Sequence, residues 1–445
     1  MNDPVKVLTI AGTDSGGGAG VQADLKTITA LGGYGMSVIC ALTAQNTVGV
    51  QAIHDVPLDF IEAQFDSVMK DIGADGAKTG MLASSVVVRT VVKKVKEYKI
   101  ERLVVDPVMV AKSGDPLLSE DGIKAVSEEM IPLAMVVTPN IPEAEVLSGI
   151  KIEGVDSMKR AAEIIAGLGA RNVVVKGGHL EGEAVDVLFN GAEFTLFPKE
   201  RVETKNTHGT GCTFSAAIAT GLASGMDVSS AVKQAELYID TAIRFSLNVG
   251  RGHGPTNHMA WFLRDSERYG VIEELKRGAG TLVQKNIAPL IPEVQSNLGY
   301  ALPYAVKHDH VAAFPARIIK AGGGVLVPVS PEFGASIHIA NIILTAMRYD
   351  PGLRSAMNIR FGEDLIKKAN DRGLAVASFS RADEPEDVKD AEGSSLAWGV
   401  SKVLSETGGT PDLIYDRGDV GKEPMIRVLG KNPGDVVGKV LGLLD

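Results

Sequence analysis

Only two cysteines, Cys40 and Cys212, occur in the 445 residues. That scarcity excludes a disulfide scaffold and a cysteine-ligated structural zinc site. An excess of basic charge is missing as well, since 45 Lys and Arg face 55 Asp and Glu for a formal net charge of -10. A nucleic-acid binder needs a basic face to displace counterions from phosphates, so nucleic acid is not an expected partner, although a local basic pocket is compatible with the total. No apolar run is long enough to span a bilayer, and Met1-Asn2-Asp3-Pro4-Val5-Lys6 lacks the charged-then-apolar pattern of a signal peptide. A cytoplasmic protein without a membrane partner is expected. The apolar share of 45% is ample for large cores, and the length calls for two or three domains.

The stretch that organises the chain is Asn206-Thr207-His208-Gly209-Thr210-Gly211-Cys212, followed by the alanine-rich run from Thr213 to Leu222. Glycines and small polar residues ahead of such a run read as a tight loop opening a helix. The first N–H groups of a helix have no intrahelical partner and share the positive end of the macrodipole, which favours a phosphate at Gly209, Thr210 and Gly211. The same field favours thiolate over thiol, so the Cys212 pKa is expected to fall below its free value of roughly 8.5, making it a nucleophile or a general base. A capped helix carrying a buried cysteine is the alternative.

Val5–Ile10 reads as a strand, Ala11–Gly20 as a glycine-rich loop and Val21–Ile28 as the start of a helix. The G-x-G-x-x-G dinucleotide spacing fails at Val21, so the glycines are read as allowing close approach to a small ligand, with Asp24 as an acceptor. Met36–Leu42 reads as an apolar segment running into polar Thr43-Ala44-Gln45, where the Gln45 amide suits the edge of an aminopyrimidine or purine. Gly76-Ala77-Lys78-Thr79-Gly80 is not a P-loop, because the Gly-Lys step is absent. Leu103–Met109, Met135–Asn140 and Arg171–Gly178 hold near-continuous apolar runs, as in parallel strands covered on both faces. Their carboxyl ends point to the ligand crevice of an open α/β sheet. Asp106, Asn140 and Glu143 are therefore candidates for holding magnesium, and Lys176 for reaching a transferring phosphoryl group.

These stretches together, with Lys78-Thr79-Gly80-Met81-Leu82, Asn140-Ile141-Pro142-Glu143 and Val175-Lys176-Gly177-Gly178-His179, closely resemble the hydroxymethylpyrimidine/phosphomethylpyrimidine kinases of thiamine biosynthesis. Those enzymes belong to the ribokinase-like superfamily, and the resemblance covers Ala11 to about His258. It implies a ribokinase-like domain with a central, mostly parallel sheet flanked by helices. It also implies ATP as co-substrate and Mg2+ organised by the N-x-x-E element, with Asp106 and Glu143 as the metal carboxylates. Gly12, Asp24, Gln45, Met81 and Val108 would line the pyrimidine pocket, Asn140 and Lys176 would serve the nucleotide phosphates, and Cys212 would take the hydroxyl proton. Most ribokinase-like enzymes carry aspartate where this chain has Cys212, and the pyrimidine kinases resemble the branch that uses cysteine. The family phosphorylates twice, first the alcohol and then the monophosphate.

Past His258 the kinase pattern stops and a charged helical stretch begins at Arg264, so domains are expected over 1–264 and 265–445. The tail has mixed periodicity: helical from Tyr269 to Gln284, then apolar strands such as Gly324–Val329 and Leu374–Phe379, giving a second α/β domain. Arg317 can grip phosphate in a bidentate fork, the glycines around Gly323 let backbone amides approach, and His338 near a helix start can donate to the same anion. This tail resembles the thiamine-phosphate synthase domain found mainly in archaea, through Pro292–Asn297, Phe314–Ile318, Phe333–His338 and Gly421–Pro424. Arg317 and His338 match that family's active-site pair, and Asn297, Gly323 and Lys422 are further phosphate candidates. The family often has glycine before its arginine and after its Pro-Glu-Val, where this chain has Ala316 and Gln295.

The two resemblances imply consecutive steps on hydroxymethylpyrimidine, its phosphates and thiazole phosphate, in an enzyme whose relatives are often homodimers. A tail that binds thiamine phosphate without turnover, and a kinase for another alcohol such as pyridoxal, are the competing readings.

Overall fold

The computed structural model describes residues 3–109, 118–178, 184–385, 394–406, 409–419 and 421–444. It divides into two compact units, Met1–Phe262 and Leu263–Asp445. No helix among the described residues is long and apolar enough to cross a membrane.

The first unit contains β1 (Lys6–Ala11), α1 (Gly20–Ala30), β2 (Tyr34–Ile39), β3 (Ala41–Gln45), β4 (Val50–Asp55), α2 (Leu58–Asp71), β5 (Gly76–Thr79), α3 (Ser85–Glu97), β6 (Leu103–Val105) and α4 (Glu120–Ala125). It continues with β7 (Val136–Val137), α5 (Ile141–Ser148), α6 (Val155–Gly167), β8 (Val173–Val175), β9 (Ala184–Phe189), β10 (Phe194–Lys199), α7 (Thr210–Ala223) and α8 (Val228–Arg244). An eight-stranded sheet runs β10-β9-β8-β7-β6-β5-β1-β2. Pairing is parallel from β2 to β8, while β9 and β10 add an antiparallel edge. The short central strands are nearly all valine and are buried, as a sheet covered on both faces requires. One face packs on α2, α3 and α6, the other on α7 and α8. Helix α7 is buried from Thr213 to Ala223, so its alanines let it lie close to both the sheet and α8.

One segment departs from the sequence reading. Met36–Leu42 is not continuous: β2 stays in the sheet, while β3 leaves it and pairs antiparallel with β4 as a separate flap. The cause is the end of β1. Cys40 N–H donates to the Ala11 carbonyl at 3.0 Å and Thr13 N–H to Ala41 at 2.9 Å, after which the glycine loop carries the neighbouring chain away.

Helix α9 (Ala260–Ser266) crosses the division between the units. The second unit then holds α10 (Arg268–Gln284), β11 (Leu298–Ala301), β12 (Val311–Ala313), β13 (Ile319–Ala321), β14 (Gly324–Leu326), β15 (Glu332–Phe333), α11 (Ile337–Tyr349) and β16 (Ser355–Arg360). After these come α12 (Glu363–Asp371), β17 (Val376–Ser378), α13 (Ser394–Glu406), β18 (Leu413–Asp416), β19 (Met425–Gly430) and α14 (Pro433–Leu444). Its seven-stranded sheet runs β15-β12-β11-β16-β19-β18-β17, and only β17 and β18 pair in parallel. Helices α10, α12 and α14 cover one face, α11 and α13 the other.

Candidate functional site

At the carboxyl ends of the parallel strands of the first unit lies a cavity of about 470 Å³. Gly12, Gln45, Met81 and Val108 line it, as do Asp106, Asn140, Glu143, Lys176 and the loop from Thr207 to Cys212. The sequence therefore identified residues that the fold brings from seven separate stretches to one cavity. His179, part of one of those stretches, lies outside the described residues.

The opening of α7 supplies the cavity's donors. Gly209 caps the helix in the left-handed region at φ +79°, and a Cβ there would collide with the Gly18 carbonyl, so only glycine fits. The first intrahelical bond runs from Thr213 N–H to Gly209 at 2.9 Å, and Thr210 N–H turns back to Thr207 at 3.4 Å. The N–H groups of Gly211 and Cys212 thus precede the helical ladder and belong to residues facing the cavity. Lys176 Nζ lies 3.1 Å from Asp106 Oδ1. Burial alone would favour the neutral amine, but Asp106 and Glu143 raise the Lys176 pKa and hold the ammonium.

Glu143 has a second duty that accounts for its position. Asn140 Oδ1 accepts from Glu143 N–H at 2.9 Å, while Glu143 Oε2 accepts from Asn140 N–H at 2.8 Å, forming a capping box on α5. The N-x-x-E spacing is a helix-start signal in its own right. Burial, against the pull of Lys176, raises the Glu143 pKa to about 7. No group of three or more His, Cys, Asp or Glu side chains converges as a metal cage among the described residues.

Two expectations require correction. Asp24 does not reach the cavity: it is fully buried, accepts from Lys78 Nζ at 2.8 and 2.9 Å and from Thr9 Oγ1 at 2.6 Å. Its place on the first turn of α1 was legible, but its partner was not, because Lys78 comes from β5, 54 residues away. The Cys212 thiol is the other. Its pKa does not fall; burial pushes it up to about 11, with Lys78 opposing and Asp24 and Asp106 reinforcing. Desolvation of the sulfur outweighs the helix field.

Sequence reasoning also missed a pair that shapes the cavity. Asp14 gathers the glycine loop, accepting from the N–H groups of Gly16, Gly18 and Ala19 at 2.8 to 3.0 Å, and lies 2.8 Å from His208 Nε2. Burial works against this carboxylate, yet the His208 imidazole and those amides keep its pKa below the usual value. The Asp-Ser-Gly-Gly run is an Asx-turn signal that would have flagged it.

In the second unit three of the motifs meet. Glu423 accepts from Glu293 N–H at 2.9 Å and Val294 N–H at 3.1 Å, while Arg317 Nη1 donates to the Val294 carbonyl. Arg317 is exposed and left-handed at φ +62°, a conformation that costs about 1–3 kcal/mol in a non-glycine residue and clusters at functional sites. Gln295, standing where the family often has glycine, is also left-handed at φ +66°. Its side chain anchors it, accepting from Lys320 N–H at 2.9 Å and donating to Glu293 at 3.0 Å. His338 lies exposed on the first turn of α11, behind the Ser336 cap. Lys422 Nζ is 3.7 Å from Glu384. Two phosphate candidates have other occupations. The Asn297 amide is buried and bonded both ways to the Phe314 backbone at 2.9 and 3.0 Å, and Gly323 takes φ +83° in the β13–β14 hairpin turn.

Comparison with known proteins places these geometries among relatives. Residues 14–257 match the model of the phosphomethylpyrimidine kinase family, and residues 274–442 that of the thiamine-phosphate synthase ThiN. The chain is 54% identical over 254 residues to the thiamine biosynthesis bifunctional protein ThiED of Geobacter sulfurreducens, covering 57% of this chain but only 52% of that protein. It is 44% identical over 263 residues to the hydroxymethylpyrimidine/phosphomethylpyrimidine kinase of Bacillus subtilis, covering 59% of this chain and 97% of that one. Among solved structures, the ADP complex of Bacillus subtilis pyridoxal kinase matches with a TM-score of 0.55 and 40% identity, over 57% of this chain and 98% of that one. The pyridoxal kinase of Staphylococcus aureus with AMP-PCP and pyridoxal matches at 0.55 and 34%, over 58% and 95%.

Proposed function

The chain belongs to the phosphomethylpyrimidine kinase family, and from that membership we propose a bifunctional, cytoplasmic enzyme of thiamine biosynthesis. The first unit transfers the ATP γ-phosphoryl to 4-amino-5-hydroxymethyl-2-methylpyrimidine, then a second phosphoryl to the monophosphate. The second unit joins that diphosphate to thiazole phosphate, giving thiamine phosphate and diphosphate. The observation that carries the reading is the convergence of Cys212, Lys176 and the α7 opening on one cavity with Gln45 and Met81.

Met81 and Val108 offer apolar walls to a flat heterocycle, and the Gln45 amide offers a donor and an acceptor to its edge. Cys212, as its thiolate, receives the hydroxyl proton as the oxygen attacks phosphorus. Lys176 and the amides of Gly211 and Cys212 stabilise charge on the equatorial oxygens as the phosphoryl group moves in line. Asp106 and Glu143, the two carboxylates that line the cavity among the described residues, fit Mg2+, which is held by one or two carboxylates and completes its shell with water and phosphate oxygens. The ion, when bound, neutralises phosphate charge.

In the second unit the diphosphate leaves the pyrimidine CH₂ and the thiazole nitrogen attacks the resulting cation. Arg317 and Lys422 supply positive charge to the phosphates, and His338 binds phosphate or carries a proton. Incubation with hydroxymethylpyrimidine, ATP, Mg2+ and thiazole phosphate is expected to yield thiamine phosphate. Accumulation of the pyrimidine diphosphate alone would make the second unit a binding module. The likeness to pyridoxal kinases favours pyridoxal as the rival substrate, and phosphorylation of pyridoxal with an inert pyrimidine would replace the first half of the proposal.

The proposal includes a homodimer. Leu42, Val48 and Ile53 leave apolar surface exposed on the β3–β4 flap, with Phe60 exposed on the adjoining α2. Light scattering should return twice the chain mass; a monomer at micromolar concentration would remove that part.

A further inference from the structure

The second unit holds a guanidinium with three of its five N–H donors unused. Arg427 on β19 is 1% exposed, yet Nε and Nη2 have no hydrogen-bond partner among the described residues. Its remaining nitrogen, Nη1, lies 2.7 Å from Asp416 Oδ2. Nε and Nη2 form one whole edge of the guanidinium fork, the edge that accepts a carboxylate or phosphate side-on. A buried donor edge without an acceptor is costly, and this one is doubled.

The surroundings point to an anion as the missing acceptor. Asp416 is already shared with Arg381, whose Nε donates to Oδ1 at 2.7 Å, and with Gly418 N–H at 2.9 Å. Both guanidiniums lie by the Phe379 ring, Arg427 at 5.3 Å and Arg381 at 6.0 Å from its centroid. On the 381–384 turn Glu384 is buried, with Oε1 unpartnered among the described residues and Oε2 3.7 Å from Lys422. Asp416 thus serves both guanidiniums at once. Arg427 also adjoins the loops already described. In register it lies opposite Asn358 of β16. Asn358 in turn accepts from Asn297 N–H at 2.7 Å and donates to the Gln295 carbonyl at 3.0 Å. Those residues continue the Glu293–Val294 stretch tied to Arg317 and Glu423. Strand β19 itself starts one residue after the Gly421-Lys422-Glu423 stretch and Pro424.

We propose that Arg427 is a phosphate-binding residue of the second unit, taking a substrate phosphate or the released diphosphate on its Nε–Nη2 edge beneath the Arg317 loop. This deepens the synthase reading and rests on it for the identity of the anion, though not for its binding.

The test is calorimetric titration of the full chain with inorganic diphosphate and, separately, inorganic phosphate, repeated with Arg427→Met and Arg427→Lys. Any binding that the wild type has and the variants lose belongs to the second unit, because the kinase cavity is unchanged in all three. Arg427→Met is expected to weaken binding of one anion at least tenfold, and whichever anion responds identifies the source as the leaving group or the monophosphate. Arg427→Lys keeps the charge and the Asp416 contact but loses the fork, and should recover only part of the affinity. It decides the matter if Arg427→Met fails to fold, although Asp416 retains Arg381 in that variant. Equal affinity of wild type and the folded variants for both anions, with equal anion-induced rises in unfolding temperature, would overturn the proposal and leave a water-filled structural cluster. Absence of thiamine phosphate formation by the wild type, alongside an affinity lost in Arg427→Met, would sink the synthase reading and keep the site.

Discussion

Cys212→Ala is expected to slow phosphorylation of the hydroxymethyl group by roughly 100- to 10,000-fold, the range of general base catalysis, and to leave phosphorylation of the monophosphate nearly unchanged. The asymmetry follows from the two acceptors. An alcohol must lose a proton as it attacks, whereas a phosphate oxygen is already ionised near neutral pH. Burial adds a second signature. With the thiol pushed up to about 11, thiolate amounts to roughly one molecule in 10,000 at pH 7. The thiolate fraction grows as pH rises toward the pKa, so the first phosphorylation should accelerate through the alkaline range and the second should not follow it. Separate initial rates on the alcohol and the monophosphate, from pH 6 to 10, measure both effects. Equal slowing of the two steps in Cys212→Ala would remove the proton-transfer role and leave the side chain as packing.

Arg317→Ala is expected to reduce thiamine phosphate formation by roughly 100- to 1,000-fold, as for loss of one preorganised donor to developing negative charge. Both kinase steps should proceed at the wild-type rate, because the described residues that line the kinase cavity all lie between Gly12 and Cys212. Alanine keeps the Cβ, so the left-handed torsion at φ +62° remains and the loss reports the guanidinium more than the backbone. Arg317→Lys keeps charge without the fork and should be intermediate. Pyrimidine diphosphate would then accumulate in the coupled assay, where chromatography detects it directly. Unchanged consumption of the diphosphate would show that Arg317 serves only to tether Val294.

The first unit was legible because its signals are local. Apolar runs such as Val173-Val174-Val175 ending in a polar residue announce a buried parallel strand and mark its functional end in one stroke. Gly209 advertises a helix entrance. What stayed hidden depends on partners distant in sequence. Nothing near Asp24 reveals Lys78, and nothing near Cys212 reveals the surroundings that raise its thiol pKa, so a dipole argument alone gave the wrong direction. The β3–β4 flap escaped for a related reason, since Met36–Leu42 keeps its apolar character across the point where its neighbour ends.

The second unit was less readable. Its sheet is mostly antiparallel, so strand ends do not collect on one side, and the polar loops around Arg317 carry no periodicity. Its most unusual side chain, Arg427, lies inside a strand reading Met-Ile-Arg-Val-Leu-Gly, where an alternating pattern would assign it to solvent. Burial instead follows from Asp416 on the adjacent strand.

Gln295 bears on how the second site keeps its shape. A glycine there would relax the torsion but delete the amide that pins Lys320 and Glu293, turning a stiff hinge into a loose one. The chain has accepted local discomfort in exchange for a loop that holds still. A carbocation formed beside it would have less chance of meeting stray water before the intended nitrogen.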